Sequence, residues 1–214
     1  MRRISSFLLF GFLTISVMLL VHGETSAQRR DYMTEAEIEL VRDAQDIDMR
    51  IDVLIKMIDR RFAVLNVAVG GAKISNKETD KWGAAPTGTK IEILDDIRKL
   101  LDKAVDDVDN VAIHPDVVRY DTDKNRSEKQ KKKDEMRFPN SVRDLASAAR
   151  RYQPALRSLL EGSKDEKEKG VILASLESCD EIIAATTKLP AEIKDNYASG
   201  VTLVTAEKTV ASYH

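Results

Sequence analysis

Three histidines, one cysteine and a few aspartate clusters are the side chains of this 214-residue chain on which catalysis or metal binding could be built. His22 lies in an apolar N-terminal run, His114 follows a helical stretch and His214 is the last residue. A zinc or di-iron site inside a helical bundle draws on several histidines or on Glu-x-x-His pairs facing inward, and no such spacing occurs. No Cys-x-x-Cys-His segment is present to attach haem covalently. A Met/His haem would have to pair Met49 or Met57 with His114, and nothing else in the chain supports it.

Asp121-Thr-Asp123-Lys-Asn125 resembles the opening of a calcium loop, but such a loop needs Gly at its sixth place and a bidentate Glu at its twelfth. This chain has Arg126 and Lys132 there. Gly83 to Lys90 is rich in turn residues, yet a phosphate loop places Lys before Ser or Thr, and here Thr89 precedes Lys90. Cys179 falls on an apolar helical face with no histidine placed to activate it, so it reads as a buried, inert thiol. Asn125-Arg-Ser127 matches a three-residue glycosylation acceptor, a pattern that chance produces often. Asp106, Asp107 and Asp109 read as a solvated helix side. No catalytic, cofactor-binding or metal-binding residue is assigned, and the chain reads as a non-enzyme.

The elements that would position any site are helical. Aromatic residues make up 5% of the chain and charged residues 33%, which points to an aliphatic core under a charged surface and favours helix over sheet. The first 27 residues resemble a signal segment. Arg2 and Arg3 precede an apolar run from Ile4 to Val21, and Thr25-Ser26-Ala27 supplies small residues before a cut at Gln28. A cut after Gly23 is the alternative, and an uncleaved anchor is the other, because 18 apolar-biased residues are just enough to span a bilayer. Removing Arg2, Arg3 and Glu24 with the segment leaves 32 Lys plus Arg against 35 Asp plus Glu, a net charge near −3. That charge gives no field to attract nucleic acid. A single cysteine rules out an internal disulfide despite the export pattern.

Residues 28–190 read as a helical bundle with loops at 67–88 and 113–140, followed by a tail at 191–214. The organising stretch runs from Thr34 to Asn66 without Gly or Pro. Thr34 and Glu37 form a capping box. Leu40, Ala44, Ile47, Ile51, Leu54, Ile55, Ile58, Phe62 and Leu65 recur at spacings of three and four on one face. Met49, Val53 and Met57 step by four with Val64 near the same line, and that line reads as the side opposite Ile51 and Phe62. These four residues are therefore the candidate contact surface for a protein partner or a second copy.

A second helix is expected over about Thr89 to Ala112, with Asp95, Asp96, Asp102, Asp106, Asp107 and Asp109 outward. The run from Arg119 to Arg137 is rich in charge, with Tyr120 and Met136 its only apolar side chains, and reads as a solvated linker with a helical portion from Ser127. A third helix is expected to start near Asn140 or Ser141, with a kink or restart at Pro154. A fourth spans about Lys164 to Lys188. The tail contributes Ile193, Tyr197, Val201, Leu203, Val204, Val210 and Tyr213 and is expected to pack over the Met49 side of the first helix.

The sum is an all-α, up-and-down four-helix bundle with a long first helix and a packed C-terminal tail behind a signal segment. The function expected is a non-enzymatic structural or protein-interaction role in the periplasm or outside the cell. Membrane attachment enters only if the N-terminal segment is retained. The alternative is a carrier of a small ligand or metal, with its site inside the bundle near Trp82.

Overall fold

The computed structural model describes residues 30–71, 79–114 and 127–189, all in helices and short connections, with no strand among them. The six α-helices are α1 (Glu35–Asp43), α2 (Ile47–Val64), α3 (Thr79–Trp82), α4 (Lys90–Ile113), α5 (Glu128–Gly162) and α6 (Glu166–Ala185). A 3-10 turn over Thr186–Lys188 closes α6. Residues 1–29 and 190–214, where a signal segment and a packed tail were expected, lie outside the described residues. No described helix is long and apolar enough to cross a membrane.

Capping decides where several helices begin. Thr34, Thr89 and Ser127 each accept from the backbone three residues on, while Glu37, Glu92 and Gln130 reach back to the cap nitrogen. Each box satisfies two donors that the first turn would otherwise leave open. Asp165 caps α6 through Lys167 and Glu168.

The expected long first helix is two helices. The chain breaks at Ala44–Gln45–Asp46, and α1 folds back along α2, so that Glu37 meets Arg60 and Arg61. Neither Gly nor Pro marks the break. The Arg50 guanidinium donates to the Ala44 carbonyl (3.0 Å), which takes over a carbonyl that helical pairing would have used.

The third helix begins earlier than its apolar pattern indicates. α5 starts at Glu128 and runs through both Pro139 and Pro154. Arg137 pairs with Asp46, the residue that precedes α2, and with Asp134 one turn back, while Phe138 packs against the core. These contacts hold the charged first turns in helical form. Each proline removes one intrahelical bond but does not end the helix.

α2 packs on α4 and α5, and α6 packs on the same two, whereas α2 and α6 do not meet. Arg50 lies near Asp107 and Arg61 near Asp96, so α2 and α4 run in opposite directions. Arg137 reaches Asp46, and Tyr152 reaches Asp59, so α2 and α5 run the same way. Lys90 meets Glu168 and Asp102 meets Ser178, so α4 and α6 also run the same way. The core between them includes Leu54, Ile58, Phe62, Ile97, Leu101, Tyr152, Leu156 and Ile172, all closed to solvent. Each such side chain contributes about 1.5–3 kcal/mol over its exposed state.

Candidate functional site

Among the described residues, the densest polar chemistry sits where α1 crosses the end of α2. Arg61, Glu37 and Asp96 are each 0–1% exposed, and ionisable groups that deep are rare unless they are paired. Arg61 donates through both terminal nitrogens to the Glu37 carboxylate, and its Nη2 also donates to the Tyr32 carbonyl (2.6 Å). Arg60 donates to the same carboxylate (2.6 Å) and to the Ala84 carbonyl (2.7 Å). On the other side, Arg30 donates to both oxygens of Asp96 (2.8 and 2.6 Å) and to the Thr87 carbonyl (2.7 Å). Arg61 Nε lies 3.8 Å from Asp96 Oδ2 without a hydrogen bond.

The result is an alternating row: Arg30, Asp96, Arg61, Glu37, Arg60. It ties the segment before α1, α1 itself, the end of α2, the residues before α4 and α4 into one unit. Trp82 closes one side, with the Arg60 guanidinium 5.4 Å from its ring centre, a cation–π arrangement. Gly83 lets the chain leave Trp82. Its φ is +58°, and a Cβ there would stand 3.0 Å from the Ala36 Cβ.

Electrostatics follow burial. The hydrogen bonds it donates to Asp96 hold Arg30 above its ordinary value. Burial pushes the Asp96 carboxyl up, against the opposing pull of Arg30 and Arg61. Burial also lowers Arg60, although Glu37 works against it. A guanidinium does not release its proton in the working range. The row therefore holds parts together and is not arranged to move protons.

A second polar group lies on the α2–α5 seam. The Tyr152 hydroxyl donates to Asp59 (2.7 Å), and Arg151 stands 3.5 Å from that carboxylate while donating to the Val69 carbonyl (3.1 Å). Burial raises both Asp59 and Tyr152 above their ordinary values. Beside it an open groove of about 460 Å3 is lined by Val67, Ala68, Val69, Arg151, Pro154 and Leu159, among others.

The four residues chosen from sequence do not share one open face. Met57 is completely buried and Met49 is 48% exposed, while Val53 and Val64 are half-buried. The reason is geometric. At 100° per residue a step of four advances about 40° around the helix. The row Met49, Val53, Met57 thus climbs from the open side over the shoulder into the core, and its next member is the buried Arg61. α2 also has α1, α4 and α5 against it, which widens its covered arc.

Asp96 and Asp107 do not face outward either, although the spacing on α4 placed them there. Asp96 is sealed by Arg30. Asp107 is 9% exposed, with Lys103 and Arg50 beside it. Arg61, Glu37 and Asp96 went unmarked as a group because their separation in sequence hides their meeting; the one local signal was the Thr34–Glu37 capping box. Cys179 is buried, and burial pushes its thiol up to about 12. Among the described residues, no group of three or more His, Cys, Asp or Glu is placed to hold a metal ion. No protein-family model matches the chain, and no curated protein or solved structure matches it.

Proposed function

We propose that the chain is an exported, non-enzymatic four-helix bundle of up-and-down direction, and that it works by binding a protein partner or a second copy of itself. The site is the periplasm, the cell envelope or the extracellular space. The N-terminal pattern of Arg2-Arg3, an apolar run and Thr25-Ser26-Ala27 supports export. The alternation in direction of α2, α4, α5 and α6 supports the bundle.

The observation that carries the binding role is at one end of the α2–α4 pair. Met49 is 48% exposed and Ile113 70% exposed, and Arg50 with Asp107 marks that same end. Large apolar side chains left open at one end of a helix pair are candidates for a contact surface. The test is capture of partners from the native host by the chain starting at Gln28, alongside the Met49→Asp, Ile113→Asp double variant. A bound protein, or a dimer, that disappears with the double variant while the helical circular dichroism stays unchanged supports the reading. The same association with both chains removes it.

The carrier alternative takes a different place from the one sequence suggested. Trp82 is buried under Arg60, whereas the groove beside Arg151 is open, apolar along its walls and flanked by one cation. Native mass spectrometry of protein isolated from its own host tests it. A retained small molecule that is lost with Leu159→Arg supports a carrier, and an empty protein counts against one.

A further inference from the structure

Residues 30–43 form an arm that charge holds to the bundle at two points. Arg30 donates to both oxygens of Asp96 and to the Thr87 carbonyl, and Glu37 receives Arg60 and Arg61. Between them the Tyr32 carbonyl accepts from Arg61, and Ala36 lies so close to Gly83 that a larger side chain would crowd it. Glu37 is the one residue of α1 that is closed to solvent. The seat therefore reads charge and size at a fixed spacing: a cation at 30, a small residue at 36 and an anion at 37. We infer that this arm is exchangeable and that the partner it fits is a second copy of this chain, whose arm carries the same residues at the same spacing.

The turn between arm and bundle is built for the exchange. It consists of Ala44, Gln45 and Asp46, each of which a helix accepts. Leu40, Ala44, Ile47 and Ile51 keep spacings of three and four across it, so one continuous helix over 35–64 would carry them on one face. α1, α4, α5 and α6 begin on side-chain caps, whereas the Asp46 carboxylate gives α2 none and is taken by Arg137. Straightening the turn would bond the first N–H groups of α2 to carbonyls of α1. It would also give the Ala44 carbonyl a backbone partner in place of Arg50.

A straight helix rises about 1.5 Å per residue, which sets Glu37 about 36 Å from Arg61, 24 residues on. The arm then cannot reach its own seat. It fills the seat of the second copy, whose arm fills the seat left open, and every contact of the folded-back form is kept. Trading an identical element in this way is a low-cost route to a dimer. It is separate from the surface at Met49 and Ile113.

The experiment is sedimentation of the full chain over a range of concentrations, beside two turn variants. Arg50→Ala frees the Ala44 carbonyl for the straight helix and should shift the chain toward dimer. Inserting Gly-Gly-Ser after Gln45 slackens the turn, weakens the straight helix and should shift the chain toward monomer. Arg30→Lys then reports which arm fills which seat, because it sets an amine against Asp96 that a carbodiimide joins as an amide. In the dimer that amide should link two molecules, and in the chain with the insertion it should close within one. Equal dimer fractions in all three chains, or a dimer whose amides close within each molecule, would overturn the inference. The exchanged dimer should also survive Met49→Asp with Ile113→Asp. Its loss in that double variant would overturn the inference too and assign association to that surface instead.

Discussion

Two seams flank α2, and they are built on opposite principles. Against α5 the contact is mainly apolar: Phe62 and Tyr152 stack with ring centres 5.2 Å apart, with the closed Leu156 in the same core, and its polar part is the smaller group of Asp59, Tyr152 and Arg151. At the end of α2, where α1 crosses it beside the start of α4, it is the row of charges from Arg30 to Arg60. The apolar seam gains from area and tolerates small sliding, since burial has no direction. The charged seam gains only when every member is in place, because a deeply buried ion without its partner is costly. A nine-residue helix such as α1 has little area to offer, and its Glu37 fixes both position and direction where packing alone would leave them loose.

The contrast can be broken from either side. Phe62→Ala should be the most damaging change, lowering global stability by about 3–5 kcal/mol in urea unfolding followed by circular dichroism. Arg61→Ala should cost about 3 kcal/mol by leaving Glu37 and Asp96 short of a partner, and its signature should be early proteolysis or exchange over residues 31–43. Adding Glu37→Leu to Arg61→Leu should recover part of that loss, whereas additive losses would show that the pair is not coupled. Thr34→Ala removes one capping bond and should cost about 1 kcal/mol, confined to α1 by the same exchange measurement.

The subtlest probe is pH. Burial raises Asp59 in the folded state above its unfolded value, so the folded protein binds that proton more tightly. The stability that Asp59 contributes relative to Asp59→Asn is then fullest at or below about pH 4, its ordinary range, and declines as the pH rises through the raised folded value. Urea midpoints of both chains across that range give the curve. A difference that grows with pH would mean that Arg151 and Tyr152 outweigh burial.

Helix by helix, legibility in the sequence followed local signals. α4 and α6 lie close to their expected limits because Thr89, Glu92 and Asp165 announce their starts and apolar spacing does the rest. The break at Ala44–Asp46 was hidden because no Gly or Pro marks it and the apolar repeat runs across it. The start of α5 was half legible: the helical portion expected from Ser127 is there, but its continuity with the apolar part was hidden because the charges from Glu128 to Arg137 look solvated until Asp46, ahead of α2, receives Arg137. The charged seam was hidden for a deeper reason. A periodicity argument sends Arg61 and Asp96 outward by residue type, and only the fold-back of α1 supplies the carboxylate that lets Arg61 turn inward. Met57 shows the opposite case, where the type was right for the core and a row of four-residue steps was read as straight.

The sequence of helices around the bundle has its own consequence for assembly. α4 and α5 are consecutive among the long helices yet sit across from each other with little contact, while α5 and α6 join through only Ser163–Asp165. The molecule is thus two local hairpins, α2 with α4 and α5 with α6, laid side by side, and the rest of the core is made between them. Local pairing of this kind forms fast because little chain has to be closed. Two chains that met at that stage could trade their second hairpins and rebuild the same α2–α5 and α4–α6 surfaces across the exchange.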